Sequence, residues 1–460
     1  MEMNAESIVR RQREFFRSGA TLPEDFRRDA LETLLSMLSQ HEGELLDALR
    51  QDLGKSPHQA FATEIGFLGT EIRHALRKLR KWMKPGRPHA PWIAWPSRAE
   101  VRSEPFGVAL ILGPWNYPLQ LVLSPLVGAI AAGNCVVLKP SEAAPHTSEL
   151  LERLIAARFD PGFLTVATGG RETAEILLTE RFDKIFLTGG AAAGHAVMGA
   201  AARHLTPVTL ELGGKCPCIV EPGVPLETTA RRIVWGKFLN AGQTCVAPDH
   251  VWVHHEITGE LVEAMRRAIT EFFGENPQRS PDFGRIINAF HHDRLTGLLG
   301  DVSIACGGRA DREDLYLEPT ILLDPVPGSA VMSEEIFGPI LPVLSYQKLD
   351  DVLSDLRGKP TPLAVYLFSD DRETQRRVVS ETRSGGVCIN DTILQILRND
   401  LPLGGLGASG FGSYRGHAGF RCFSHQRTVL TRRFRPDPGF RYPPVTIGLE
   451  TLRRLMRWMR

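Results

Sequence analysis

Net charge is nearly absent from this 460-residue sequence, whose 54 lysines and arginines are balanced by 53 aspartates and glutamates. Such a balance supplies no bulk attraction to nucleic acid, and small neutral or weakly charged substrates suit it better. Long apolar runs are missing as well: no stretch of about 18 consecutive apolar residues occurs, so no membrane-spanning helix is expected. The opening MEMNAESIVRRQREFF mixes charges with single apolar residues and lacks the continuous core of a secretory signal. Cysteine is scarce. The seven present are odd in number and irregularly spaced, which speaks against a disulfide framework, and Cys216 and Cys218 are too isolated for a zinc site, which takes four ligands. No metal is expected, and a reducing cytoplasm is the natural compartment. Fixed-period repeats and low-complexity tracts are also lacking, which sets aside solenoids and disordered linkers.

What is present is alternation. The length exceeds what one core usually sustains, so two or three domains are expected. Leu31, Leu34, Leu35, Leu38, Leu45, Leu46 and Leu49, then Ile72, Leu76, Leu79 and Met83, recur three or four apart and predict amphipathic helices. Residues 84–97, KPGRPHAPWIAWPS, break that period and read as an extended connection. From residue 107 short β-branched runs (GVALIL, CVVLKP, FLTVAT, KIFLTGG) alternate with helical ones, which predicts a parallel sheet covered on both faces. After residue 213 a second α/β unit begins, with VWVHHEI, ILLDPV, ILPVLSY, PLAVYLFS and GVCIND as strands. Sheets of this kind bind ligands beyond the carboxyl ends of their strands.

Four segments carry chemistry. NAGQTCVAPD at residues 240–249 sets Cys245 in a polar, turn-prone context, just downstream of VTLELGGK at 208–215, which holds Glu211. A thiolate is strongly nucleophilic toward electrophilic carbon, and a carboxylate is a possible base. Spacing alone leaves Cys245 equally open to a role as a small buried hydrophobe, and Glu211 to one as a strand-end carboxylate satisfied by glycine amides. GGAAAG at 189–194 (Gly189, Gly190, Gly194) is a glycine-rich turn opening a helix, either a phosphate cradle or an ordinary connection. In LKPSE at 138–142, Lys139 can reach an adenosine ribose and Glu142 can accept ribose hydroxyls, a carboxylate that should repel a 2′-phosphate.

GQTC, LELGGK, GPWNYP at 113–118, EEIFGP at 334–339 and GLGASGFGSYRGHAGFRCFSHQR at 405–427 occur in order and resemble the signature blocks of aldehyde dehydrogenases. The likeness runs from about residue 40 to about 445, and its tail block is similar to the class 3 or fatty-aldehyde branch. The resemblance implies an α/β fold: a Rossmann-like parallel-sheet cofactor domain (1–84 and 102–210), a second α/β catalytic domain (211–405), a small β-hairpin oligomerisation element (85–101 and 406–435), and a tail helix (436–460). It implies oxidation of an aldehyde to the acid. Cys245 forms a thiohemiacetal whose oxyanion is met by its own amide and by Asn116, and Glu211 activates water to hydrolyse the thioester. It further implies Thr188 and Gly189 near the cofactor, Glu335 on the nicotinamide ribose and Phe337 against the nicotinamide. Asn116 also suits a turn, Phe337 a core, and Glu335 a solvated surface. NAD is favoured over NADP by Glu142, although the branch uses both, and a homodimer is implied. Leu403 stands where many members carry phenylalanine near the substrate entrance. The basic amphipathic end, with Leu449, Leu452, Met456 and Met459 on one face, either lies on anionic lipid or, the favoured reading, docks on its own subunit at the substrate mouth.

Overall fold

A computed structural model of the chain describes residues 4–89, 96–300, 302–437, 439, 442–444 and 447–457. Every residue of the strands Val108–Leu112, Cys135–Lys139 and Lys184–Thr188 is buried, as a strand covered on both faces requires. They belong to a six-stranded sheet in the spatial order Gly410–Phe411, Val208–Glu211, Lys184–Thr188, Val108–Leu112, Cys135–Lys139, Leu164–Val166, parallel except for its first pair. The chain starts at Val108–Leu112, winds outward to Leu164–Val166, then returns to Lys184–Thr188 on the other side of its starting strand. That reversal leaves a crevice at the carboxyl ends of Val108–Leu112 and Lys184–Thr188. Helices Glu24–Gln40 and Gly66–Met83 press Leu31, Leu34, Leu38, Ile72 and Leu79 into the same core, with Leu35, Leu76 and Met83 at its margin.

A seven-stranded sheet runs Gly386–Ile389, Ala364–Phe368, Pro217–Val220, His250–His254, Ile340–Tyr346, Thr320–Leu323, Ser303–Cys306, with only the last strand antiparallel. Outside both sheets, Ser97–Pro105 and Ser424–Arg432 form a two-stranded antiparallel ribbon. Of the extended connection read at 84–97, Gly86 bridges Val101, whereas residues 90–95 lie outside the described residues.

Three expectations are corrected. Val208–Glu211 and Pro217–Val220 are strands, one in each sheet; the second was not read as one and the first only as the strand-end alternative for Glu211, because at four residues each is too short to show a period. Residues 406–435 do not form one hairpin element. Gly410–Phe411 joins the first sheet beside Val208–Glu211, and helix Gly416–Cys422 packs on helix Gln120–Ala132, leaving only Ser424–Arg432 to the ribbon. Gly410 makes that return possible: at φ +117° its backbone lies against the Leu210 carbonyl, whose oxygen would be 2.0 Å from any Cβ. Among the described residues the tail's apolar face is largely open rather than seated: in helix Leu449–Arg457, Leu449 is 63% and Met456 61% exposed and Leu452 is half-buried, and Met459 lies outside the described residues.

The contact between the two buried helices is testable. A Cβ on Gly128 would come within 2.8 Å of the Gly419 carbonyl, so overpacking of about 1–3 kcal/mol exceeds the roughly 1 kcal/mol that alanine gains over glycine in a helix. Gly128→Ala is expected to melt below the parent in a thermal scan. Gly199→Ala, in a helix where nothing lies within 4 Å of the added methyl, is expected to melt at or above it.

Candidate active site

Cys245 follows a strained turn. Asn240, Ala241 and Gly242 are consecutive residues in the left-handed region, at φ 54°, 51° and 75°, where a non-glycine residue costs roughly 1–2 kcal/mol. Side chains hold the turn in place. Asn240 Nδ2 donates to the Asn116 carbonyl at 2.8 Å and to the Gln243 carbonyl at 3.2 Å. Gln243 Nε2 donates to the carbonyls of Asn240 at 3.0 Å and Arg285 at 2.9 Å, and its Oε1 accepts from the Ile287 amide at 3.0 Å. A Cβ on Gly242 would meet the Gly338 carbonyl oxygen at 2.2 Å, so the EEIFGP loop lies directly on this turn.

Asn116 is 2% exposed, and its Nδ2 donates to the Gln243 carbonyl at 3.0 Å. Its neighbour Tyr117 shares a 2.7 Å hydrogen bond with Thr244 Oγ1. GPWNYP and the NAGQTC turn are therefore stitched together by three hydrogen bonds, two through the Asn116–Asn240–Gln243 set and one through hydroxyls. Far apart in the chain, the two motifs form one surface.

Cys245 is partly exposed, opening on a cavity of about 220 Å³ walled by Phe67, Tyr117, Leu121, Trp235, Ile393 and Leu403. Leu403 thus stands at the cavity that receives the thiol. Arg415 is the one charged side chain among the described residues lining it. Low polarity, followed by the Glu335 and Glu211 carboxyls, pushes the Cys245 thiol up to about 12, against the pull of Arg415 and the residue's own amide. Glu211 ends a strand of the first sheet, is 4% exposed, and neither carboxyl oxygen has a hydrogen-bond partner. Burial pushes its carboxyl well above the ordinary range, and Arg415 pulls it back. A buried carboxyl with a raised proton affinity and free oxygens is the kind of group that takes a proton near neutral pH.

Glu335 lies over Gly213, where a Cβ would be 2.2 Å from its Oε1, and it accepts from the Gly214 amide. Burial pushes its carboxyl up to about 8. Lys215 locks this arrangement: its ammonium pairs with Asp249 and donates to the carbonyls of Val331 and Glu334, both at 2.9 Å. Asp249 also accepts from the Ile336 amide at 2.9 Å. Burial alone would raise Asp249, but His250, Lys215 and Lys237 outweigh it and hold the carboxyl at about 2. Phe337, itself at φ 50°, meets Trp115 edge to face at 5.3 Å.

Trp115 in turn lines a second cleft, of about 410 Å³, together with Lys139, Glu142, Thr188, Gly189 and Gly190. It lies at the strand reversal of the first sheet. Lys139 and Glu142 pair at 2.8 Å, Thr188 Oγ1 is buried without a partner, and helix Ala191–Ala202 begins at Gly190 with no side-chain cap. Uncapped amides at a helix start suit a phosphate, and Thr188 and the Lys139–Glu142 pair suit a ribose, so the residues fit a dinucleotide. Gly194 does not line the cleft. It sits one turn into the helix with Leu210 and Leu212 each 3.4 Å from where its Cβ would be, and serves helix-to-sheet packing instead.

Sequence reasoning assigned no part to Arg415, Lys215 or Asp249, although each lies inside or beside a quoted block, or to Lys55 and Glu64, whose burial no local pattern signals. Among the described residues, no group of three or more His, Cys, Asp or Glu is placed to hold a metal ion.

Residues 1–429 match the model of the Aldehyde dehydrogenase family. The chain is 42% identical over 432 residues to the 4,4′-diaponeurosporen-aldehyde dehydrogenase of Staphylococcus aureus, covering 94% of each chain. It is 45% identical over 442 residues to human aldehyde dehydrogenase family 3 member B1, covering 95% of this chain and 94% of that one. A solved structure described as the substrate-bound state of Staphylococcus aureus AldH superposes with a TM-score of 0.97 at 40% identity, covering 99% of this chain and 100% of that one. An NAD+ complex of an aldehyde dehydrogenase from Bacillus cereus matches with a TM-score of 0.85 at 25% identity, over 93% and 88%. A turn that presents a cysteine to buried carboxyls, a cleft at the strand reversal and a match across nearly the whole chain agree: this protein is a member of the aldehyde dehydrogenase family, an oxidoreductase acting on aldehydes.

Proposed function

We propose that this enzyme oxidises an apolar aldehyde to its carboxylic acid, with Cys245 as nucleophile and NAD as the cofactor. The observation that carries the reading is the meeting of Cys245 and Arg415 on one apolar cavity, with the unpartnered carboxyl of Glu211 near enough to raise the thiol's proton affinity. In the free protein the thiol holds its proton, so attack releases that proton to water as the bond to carbon forms. Sγ bonds to the aldehyde carbon, and the carbonyl oxygen becomes an oxyanion met by the Cys245 amide and by the second N–H of Asn116 Nδ2, the first staying on the Gln243 carbonyl. Lys139, Glu142, Thr188, Gly189 and Gly190 line the cleft that would hold NAD, with Glu335 and Phe337 toward the thiol, and the cofactor when bound would supply the acceptor for the hydride that leaves that carbon. The resulting thioester on Cys245 is attacked by water as Glu211 takes the water's proton; the C–S bond then breaks, freeing the acid and restoring the thiol.

Glu142 supports NAD over NADP, its carboxylate standing beside Lys139 at the ribose end of the cleft. Cavity walls of Phe67, Trp235, Ile393 and Leu403 favour an apolar substrate, and the Staphylococcus aureus relative is named for 4,4′-diaponeurosporen-aldehyde. The cofactor role falls to the six-stranded unit and the nucleophile to the seven-stranded one. The ribbon, whose Ser424–Arg432 strand pairs only with Ser97–Pro105 among the described residues, is suited to join a second copy in a homodimer.

Cys245→Ala is expected to abolish NAD reduction with any aldehyde. Glu211→Gln is expected to release about one NADH per site in stopped flow and then stall, because the base is needed only for hydrolysis; unchanged steady-state turnover would refute that role. Hydrolysis needs the Glu211 carboxylate, so turnover rises with pH as that carboxyl ionises. Arg415→Gln removes the cation that favours ionisation, and the rising limb of the pH–kcat curve is expected to move to higher pH, while Arg415→Lys leaves it near that of the parent. Glu142→Ser is expected to raise kcat/KM for NADP relative to NAD on the order of tenfold, and a ratio that does not change removes Glu142 from the discrimination.

A further inference from the structure

Lys55 and Glu64 form an ion pair whose two side chains are both 0% exposed. Taking two charges out of water costs several kcal/mol per ion, and an apolar pair of similar volume often stabilises a fold as well or better, so stability alone gives this pair little reason to be charged. Its contacts converge on one short segment. Lys55 Nζ donates to the Asn116 carbonyl at 3.1 Å and stands 4.2 Å from the centre of the Tyr117 ring. The second oxygen of Glu64 accepts from the amides of Leu119 at 2.9 Å and Gln120 at 3.1 Å, at the start of helix Gln120–Ala132.

Glu64 reaches this position because Phe61–Ile65 is a turn of π-helix between Pro57–Ala60 and Gly66–Met83. Such a turn inserts one residue into an α-helix and is found frequently at functional sites. Here the same turn supplies Ala62 and Thr63 to the wall of the Cys245 cavity. One distortion therefore serves the substrate wall with one side and the Asn116 segment with the other.

We propose that the Lys55–Glu64 pair is a positioning device for catalysis, holding residues 116–120 so that the Asn116 amide stands over the Cys245 thiol at the distance an oxyanion requires. The inference rests on the reading of Asn116 as an oxyanion donor. Neither Lys55 nor Glu64 touches the reacting atoms; both act through Asn116. A displacement of about 1 Å in such a donor costs up to ~100-fold in rate.

The test is the paired variant Lys55→Met with Glu64→Gln, which removes both charges together and keeps one acceptor for the helix-start amides. Two bursts are measured: NADH from aldehyde and NAD, and p-nitrophenolate from p-nitrophenyl acetate, which acylates Cys245 through a tetrahedral oxyanion without any cofactor. The melting temperature is expected to stay within a few degrees of the parent while both bursts slow by tenfold or more, with the aldehyde KM changing less than threefold. In an Asn116→Ala background the paired change is expected to slow the bursts by less than twofold, since the donor it positions is gone. A folded paired variant with bursts within twofold of the parent, or losses that add fully to those of Asn116→Ala, would overturn the proposal. Asn116→Ala alone separates the two ideas: bursts it leaves unchanged refute the oxyanion role, whereas bursts slowed by it and not by the paired variant refute only the positioning role. Should the paired variant fail to fold, Lys55→Arg keeps the charge and alters its reach; bursts slowed at least threefold in a folded protein support the proposal, and unchanged bursts overturn it.

Discussion

The left-handed run Asn240–Ala241–Gly242 is the constraint on which the site depends. Three such residues in a row cost a few kcal/mol if left alone, and a free chain would relax them. They persist because Asn240 and Gln243 spend their side-chain amides on the backbone of the turn, of Asn116 and of the 285–287 segment. Gly242 in addition lies too close to the Gly338 carbonyl for any side chain. Strain held by buried hydrogen bonds is rigid, and rigidity here means that the thiol of Cys245 and the amide of Asn116 move together or not at all.

Charge is the second constraint. Glu211, Glu335, Asp249 and the Cys245 thiol crowd one buried region, and water could not keep all of them ionised there. The compensating groups are distributed unequally: the neighbouring His250 imidazole and the ammonium groups of Lys215 and Lys237 hold Asp249 ionised, while Glu211 has only the field of Arg415 and Glu335 is left with a raised proton affinity. The carboxyl that ties two loops together is thereby kept a permanent anion. Those facing the thiol are left able to exchange protons, which is the division of labour that acid–base chemistry at neutral pH needs.

Much of this was legible in the chain, for identifiable reasons. Val108–Leu112, Cys135–Lys139 and Lys184–Thr188 announce themselves because strands buried on both faces must be apolar throughout. The motif blocks announce Cys245, Glu211, Asn116, Glu335 and Phe337, which the fold gathers around the meeting of two sheets. Short strands that owe their place to neighbours rather than to their own pattern stayed hidden: Val208–Glu211 and Gly410–Phe411 pair only because Gly410 can lie flat on Leu210. Hidden too were the buried ions. Lys55, Glu64, Arg415 and Asp249 look in sequence like solvated surface charges, and only the three-dimensional convergence of distant segments removes them from water.

That Glu211 ends a strand of the first sheet while Cys245 belongs to the second unit has a mechanical consequence. The proposed nucleophile and base are carried by different layers, so their separation is set by what joins the layers rather than by either fold alone. Lys215, four residues after Glu211, supplies one joint through Asp249 and the carbonyls of Val331 and Glu334. The segment through Gly410 supplies another, pairing with Glu211 on the first sheet while its continuation brings Arg415 to the Cys245 cavity. A small slip between the layers would therefore alter the spacing of base and thioester without unfolding either sheet. The glycines that flank Glu211, with Gly213 admitting Glu335 and Gly214 packed on Pro362, leave no slack for such a slip, and close backbone packing does here what bulky side chains do in an ordinary core.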